Sequence, residues 1–326
     1  MNGSIKVSII IPVYGVEKYI EKCARSLFEQ TYSNIEYIFV NDKSKDDSID
    51  ILKKVLTAYP DRKAQVRIVE HEKNKGLSQA RETGIGYASG MYLMHVDSDD
   101  YIEPNMVELC VDKVLRTNCD MVICGFWDEY ASHRVANCSS CQPYEKCFYL
   151  SHIITQDFLC SIWGKLIRTS LYKSNDIHCI PEISFAEDYA VLPRLLWYCT
   201  KIEFLSKPLY HYTHFNNTSL TNNFKMKDVH DKVIAQKCID VFFADKNAYK
   251  EEIQIVNLKR KAWAIRAMVI NGYKMKDINS FFDNYHYKLS LFKNFSINHN
   301  IILMLNNISC MFLLKMYCRL TECIKR

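Results

Sequence analysis

Two short stretches concentrate the reactive side chains of this sequence. FVNDKSKDD, residues 39–47, and MHVDSDD, residues 94–100, each run out of an apolar segment into carboxylates and amides. Asp97 and Asp99 stand two positions apart, so in an extended chain they project to the same side and can hold one hard divalent cation, Mn2+ or Mg2+. A cation held this way can neutralise a diphosphate leaving group. Each cluster on its own is equally a helix N-cap or an Asx turn. Two of them at corresponding edges of one sheet shift the balance toward a site.

The elements that must place them there follow from periodicity. VSIIIP (7–12), IEYIFV (35–40), VRIV (66–69) and MYLMHV (91–96) read as strands. Between them, Ile20, Cys23, Ala24, Leu27 and Phe28, then Ile51, Leu52, Val55 and Leu56, then Leu77, Ala80, Ile85 and Ala88 recur at helical spacing. Pro104 opens a further helix that leads to MVICGF (121–126). Strands alternating with helices imply an α/β fold, a mainly parallel sheet with helices on both faces and right-handed crossovers. Such sheets bind ligands beyond the carboxyl ends of their strands. The loops after the first, second and fourth strands then carry Tyr14, Asp42 and Asp97 to Asp100 toward one crevice.

The remaining composition narrows the field. The chain has 326 residues, 48% of them hydrophobic, which suffices for one large domain or two. A net charge of +5 with scattered Lys and Arg gives no nucleic-acid footprint. The opening MNGSIKVSIIIPVYG has a brief apolar run broken by Pro12, unlike a secretory signal, and this implies a cytoplasmic protein. Most of the 14 cysteines lie in apolar runs such as MVICGFW and read as buried free thiols. Cys138, Cys141 and Cys147 lack a second pair and read as incidental to a loop. Alternation fades beyond about residue 130, and 226–326 reads as mostly helical. The stretch 301–318 is too interrupted by Asn306, Asn307, Ser309 and Lys315 to span a bilayer. It reads as a packed terminal helix or, given its basic flank, as one lying at the inner face of the cell membrane.

No GxGxxG follows the first strand, where PVYG stands, and no GxxxxGK[ST] loop occurs, so the common dinucleotide and P-loop devices are excluded. The run VSIIIPVYGVEKYIEKCARSLFEQTYSNIEYIFVNDKSKDDS, then NKGLSQARETGI, then VDSDD resembles the N-terminal half of family 2 glycosyltransferases. Their fold, called GT-A, is that of the nucleotide-diphospho-sugar transferases. Order and spacing match over residues 5–130. The resemblance implies sugar transfer from a nucleotide donor with inversion at the anomeric carbon. It implies that Pro12, Val13, Tyr14 and Glu17 frame the base and that Asp42 reads a uracil-type ring. It also implies that Asn74, Gly76, Ala80 and Arg81 form a donor-binding turn and helix, and that Asp97, Ser98 and Asp99 are the metal-associated DxD motif. Gly15, Asn41 and Glu82 depart from the family's usual Asn, Asp and Asn.

In the second half, SIWGKLIRTSLY (161–172) and FAEDYAVLPRLLWY (185–198) resemble the family's W-x-K-L segment and acidic Glu-Asp motif. By this resemblance Asp188, with Glu187 beside it, supplies the general base, and Lys165 is placed near the diphosphate or at a solvated helix end. Taken alone, AEDYAVLPRLL is equally an exposed acidic helix start. Trp163 reads as a core residue. His211 and His214 stand where the family has arginines, and neither reads as a metal ligand.

The expectation is a GT-A domain over 1–220, with a nucleotide-sugar half (5–130) and an acceptor half (131–220), followed by a mostly helical region, 221–326. The function implied is transfer of a sugar from a nucleotide-sugar, of UDP type, to a saccharide or lipid-linked saccharide in cell-surface polysaccharide synthesis. A nucleotidyltransferase and a non-catalytic nucleotide-sugar-binding subunit are the alternatives.

Overall fold

A computed structural model describes residues 4–181, 183–216, 226–274, 301–303 and 313–318. The chain divides into two compact units, Met1–Ile153 with Asp157–Asn222, and Ile154–Gln156 with Asn223–Arg326.

The first unit starts as the sequence pattern predicts. β1 (Val7–Val13), α1 (Ile20–Phe28), β2 (Ile35–Asn41), α2 (Ser48–Leu56), β3 (Val66–Glu70), α3 (Leu77–Tyr87) and β4 (Tyr92–His95) alternate along the chain. β1 is buried along its whole length, as expected of a central strand covered on both faces. Val7, Ile9, Ile11 and Val13 point into a core shared with Leu27 of α1, Leu52 of α2 and Val111 of the later α4 (Met106–Thr117). The opposite face is covered by α3, where Ala80 packs with Ile38 and Val40. This helix lies so close that a Cβ on Gly84 would stand 2.3 Å from Ile10 Cγ2.

After β4 the regular alternation ends. β5 (Tyr101–Ile102), β6 (Met121–Glu129), β7 (Arg134–Asn137), α5 (Lys146–Ile154), β8 (Lys165–Arg168), α6 (Ser170–Ser174), α7 (Glu187–Tyr198) and β9 (Ile202–Thr213) complete the unit. The strand order is β3-β2-β1-β4-β8-β6-β9-β5, with β7 on β6. Only β3-β2-β1-β4 and the pair β6·β9 are parallel; β8 runs antiparallel to both β4 and β6. The sheet is therefore mixed where a mainly parallel one was expected. Helices still separate most strands after β4, but β6 and β7 form an antiparallel pair and β8 inserts antiparallel between β4 and β6, so the helices no longer join parallel neighbours.

The second unit contains α8 (Met226–Lys246) and α9 (Lys250–Ile270). Leu258, Ala262, Ile265 and Met268 of α9 form a core with Ile302, Leu303, Leu314 and Cys318. The described parts of 301–318 are thus packed against protein. The rest of 301–326 lies outside the described residues. Among the described residues, no helix is long and apolar enough to cross a membrane.

Candidate active site

β1, β2 and β4 are parallel neighbours, so their carboxyl ends open on one edge, and each loop there is held by specific bonds. Asp42, just past β2, is 3% exposed. Its Oδ1 accepts the Lys75 N–H at 2.7 Å and the His71 Nδ1–H at 2.7 Å, and its Oδ2 accepts the Gly76 N–H at 2.7 Å. His71 Nε2 lies 2.9 Å from Thr83 Oγ1 on α3. Asp42 therefore ties segment 71–76 to the end of β2. Gly76 has φ +87°, and a Cβ there would stand 3.0 Å from Ser184 Oγ, so glycine suits this close pass of the chain. The loop after β1 is fastened to the loop after β2: Gly15 N–H donates to Ser44 Oγ, Val16 N–H to Ser48 Oγ and Glu17 N–H to Asp46 Oδ2. Tyr14 is left half exposed at the rim, and Asn74 is exposed on its loop. Pro12 and Val13 are buried in β1, and Ala80 lies in the α3 core rather than in the crevice.

The acidic turn after β4 is built around Tyr210 of β9. The Asp97 N–H donates to Tyr210 Oη at 3.1 Å, and Tyr210 in turn donates to Asp100 Oδ2 at 2.7 Å. Asp100 Oδ1 accepts the Thr213 N–H at 2.8 Å, so this third carboxylate is buried scaffold. Ser98 is buried. Asp99 Oδ2 accepts the Asn216 Nδ2–H at 2.8 Å. Burial first, and the charge of Asp97 second, push Asp99 up to about 6.

The decisive feature is Arg81, 2% exposed on α3. Its Nη2 donates to Asp97 Oδ1 at 2.8 Å, and its Nη1 to Glu187 Oε1 at 2.7 Å and Asp188 Oδ1 at 2.5 Å. Glu187 and Asp188 open α7 directly after Ala186, which sits in the left-handed region at φ 62°. That conformation costs a non-glycine residue of the order of 1 kcal/mol or more, and it turns the first helical residues toward Arg81. Asp188 Oδ2 also accepts the Ile162 N–H at 2.9 Å. Burial works against charge on Arg81, yet Asp188, Asp97 and Glu187 together hold it firmly protonated. One guanidinium facing three carboxylates leaves a negative surplus. Accordingly, burial and Asp188 push Glu187 up to about 7, and burial raises Asp188 against the pull of Arg81.

This surplus is the test of a metal. Among the described residues, no group of three or more His, Cys, Asp or Glu side chains is assembled as a metal cage. Mg2+-type sites, however, often take only one or two protein carboxylates and complete their shell with water and substrate phosphate. Asp97 and Asp99, whose charges oppose each other, fit that donor set.

Other expected residues are placed differently. Lys165 Nζ is buried and turned inward, donating to Ser161 O at 2.6 Å. Trp163 stacks on Tyr210 and Tyr212 with centroids 4.5 and 5.2 Å apart, inside the core. His211 lies between Glu129 and Glu103, and His214 bonds Asp128. Sequence reasoning gave no role to His71, the Ile162 N–H, Tyr210 or Asn216. Positional signals existed for all of them: His71 follows the third strand, Ile162 lies in SIWGKLIRTSLY, and Tyr210 and Asn216 lie in YHYTHFNNTSLT (210–221), which occupies the place of a family segment near the donor phosphates.

Residues 8–143 match the family described as Glycosyl transferase family 2. The likeness to this family thus lies in the N-terminal part of the chain. EpsJ of Bacillus subtilis (strain 168), described as an uncharacterized glycosyltransferase, is 35% identical to this chain over 222 residues, 66% of this chain and 62% of EpsJ. The alignment thus spans less than two thirds of that relative. The structure of S. aureus TarS residues 1–349 in complex with UDP-GlcNAc superposes on this chain with a TM-score of 0.66 at 19% identity, over 98% of this chain and 92% of the other. A mannosyltransferase of Pyrobaculum calidifontis in complex with GDP-Man and Mn2+ gives a TM-score of 0.56 at 12% identity, over 100% and 89% of the two chains. These likenesses establish the GT-A fold.

Proposed function

We propose that this protein is an inverting glycosyltransferase that moves a sugar from a uridine nucleotide-sugar to a hydroxyl of a saccharide or lipid-linked saccharide acceptor. Arg81 is the observation that carries the reading. It joins Asp97, on the donor-side turn, to Glu187 and Asp188 on the acceptor side through one planar, buried fork. An in-line displacement needs the base and the departing diphosphate on opposite sides of the reacting carbon, and a rigid spacer between the two carboxylate groups supports that arrangement.

Asp188 is the base in this mechanism. Arg81 fixes one of its oxygens and Ile162 the other, which aims the remaining lone pairs, while burial raises its proton affinity toward the working range. As the acceptor oxygen bonds to the anomeric carbon, its proton passes to Asp188 and the carbon–oxygen bond to the diphosphate breaks. Glu187 shares Arg81 and, at neutral pH, relieves the cluster by holding a proton part of the time. Asp97 and Asp99 would hold a Mn2+ or Mg2+ ion, which when bound supplies charge neutralisation for the leaving diphosphate. Segment 71–76, anchored by Asp42 and His71, offers its backbone and Asn74 to the donor. The Mn2+ and UDP-GlcNAc named for the two structural relatives support this choice of ion and donor class. The nucleotidyltransferase alternative lacks a Gly-rich basic loop after β1, where PVYGVEKY stands. The same reading places the enzyme in the cytoplasm, at the membrane face where lipid-linked acceptors are presented, in polysaccharide synthesis.

The test starts with a thermal-shift screen of UDP-, GDP- and dTDP-sugars with Mn2+, followed by UDP release from the sugar that stabilises most. Asp188→Asn should lower the maximal rate about 10²- to 10⁴-fold while UDP affinity by calorimetric titration stays within about twofold. EDTA should abolish release and Mn2+ restore it. An Asp188→Asn enzyme that keeps more than about a tenth of the rate transfers the base role to Glu187.

A further inference from the structure

We propose that Lys165 is a positioning residue that aims the base through the peptide unit joining Ser161 to Ile162. The inference rests on Asp188 being the base. Lys165 opens β8 and is 4% exposed, and its ammonium donates to Ser161 O at 2.6 Å, Ser161 Oγ at 3.3 Å and Trp163 O at 3.3 Å. An ammonium has three protons, and three acceptors within the protein take them. A lysine so engaged and so buried has none left for a diphosphate in the crevice, which is the role its sequence context suggests.

Its effect reaches the site through elementary peptide geometry. In a trans peptide the C=O and the N–H of one unit point in opposite directions. The carbonyl of Ser161 points at Lys165 Nζ, so the N–H of Ile162, in the same rigid plane, points the other way, and it donates to Asp188 Oδ2 at 2.9 Å. The positive charge at the carbonyl end also polarises the unit and strengthens the donor at the other end. The C-terminal flank of this peptide is fixed independently. Trp163 pairs with His95 at the end of β4 as an isolated bridge and stacks on Tyr210, and the carbonyl of Gly164, at φ +68°, accepts the Cys124 N–H at 3.0 Å. With that flank held, Lys165 restrains rotation of the 161–162 peptide plane by fixing its carbonyl. Arg81 on one oxygen and this peptide on the other then define the orientation of the Asp188 carboxylate.

The test is Lys165→Met, which keeps length and burial and deletes the ammonium, assayed with the nucleotide sugar selected by the thermal-shift screen and with UDP as the binding probe. Turnover should fall about tenfold to a hundredfold, the size typical of losing an orienting partner or of a misplacement near 1 Å, while UDP affinity stays within about twofold. In an Asp188→Asn background, Lys165→Met should cost less than a further twofold or so, because the group it aims is already disabled. A weakening of UDP binding in proportion to the rate loss would make Lys165 a donor contact and overturn the inference. So would a full, multiplicative loss in the Asp188→Asn background. If Asp188→Asn by itself retains the wild-type rate, the base assignment falls, and this inference with it. Should Lys165→Met fail to give a folded circular dichroism spectrum, Lys165→Gln, which keeps one N–H donor, is read against the same criteria.

Discussion

Replacing Glu187 by Gln should make the protein more stable at alkaline pH and slower as an enzyme. Glu187 shares one guanidinium with Asp188 and Asp97, and burial together with Asp188 moves it from the usual 4.5 up to about 7. Because the folded value lies above the unfolded one, its protonated form favours the fold. That contribution is fully present below about 4.5 and is lost as pH rises through about 7. A rise of this size corresponds to about 3 kcal/mol lost across the window. Glutamine stays neutral throughout and still accepts from Arg81, though as a neutral rather than an ionic partner, which costs about 1 kcal/mol. The net expectation is a gain of about 2 kcal/mol at pH 8, equivalent to a melting temperature about 4 °C higher or more. The gain should vanish or reverse near pH 5. The assay is a pair of thermal melts for wild type and Glu187→Gln from pH 4.5 to 8.5 in EDTA, so that no cation masks the surplus charge. A difference between the two proteins that does not change with pH would refute the reasoning, because it would mean that Arg81 compensates all three carboxylates.

Three further outcomes follow from the same structure. Asp42→Asn leaves one of the two backbone N–H groups, of Lys75 or Gly76, facing an amide NH2 instead of a carboxylate oxygen. It should cost about 1–3 kcal/mol, speed hydrogen exchange across 71–76 and weaken UDP binding in calorimetric titration. Gly84→Ala gains up to about 1 kcal/mol of helix propensity but places a Cβ 2.3 Å from Ile10 Cγ2. Overpacking at about 1–3 kcal/mol should win, seen as a lower urea midpoint. Burial opposes the charge of Glu36, but bonds from Lys6, Ser8 and Ser89 prevail and hold it down at about 2. Its contribution is present above about 4.5 and lost as pH falls through about 2. Glu36→Gln should therefore melt lower than wild type at pH 7 and equal to it near pH 2.

The sequence by itself determined the first half of the fold. Ile20, Cys23, Ala24, Leu27 and Phe28 at helical spacing and the apolar run through β1 express local periodicities of 3.6 and 2, and these survive into the structure because each element buries one side or both. Asp97, Asp99, Glu187 and Asp188 were legible for a related reason: carboxylates directly after a strand or at a helix start stand out against apolar neighbours. What tertiary structure decided is which of these groups meet. Arg81 and Asp188 are 107 positions apart, and no periodicity relates α3 to the start of α7. The mixed order of β8, β6 and β9 was undetermined for the same reason, since helices intervene between these strands whether they pair parallel or antiparallel, and long-range packing sets the pairing. The inward turn of Lys165 was hidden as well. A lysine in sequence looks like a surface cation, and only the convergence of Ser161 O, Ser161 Oγ and Trp163 O on one buried point makes it the post on which a peptide plane, and through it the Asp188 carboxylate, is set.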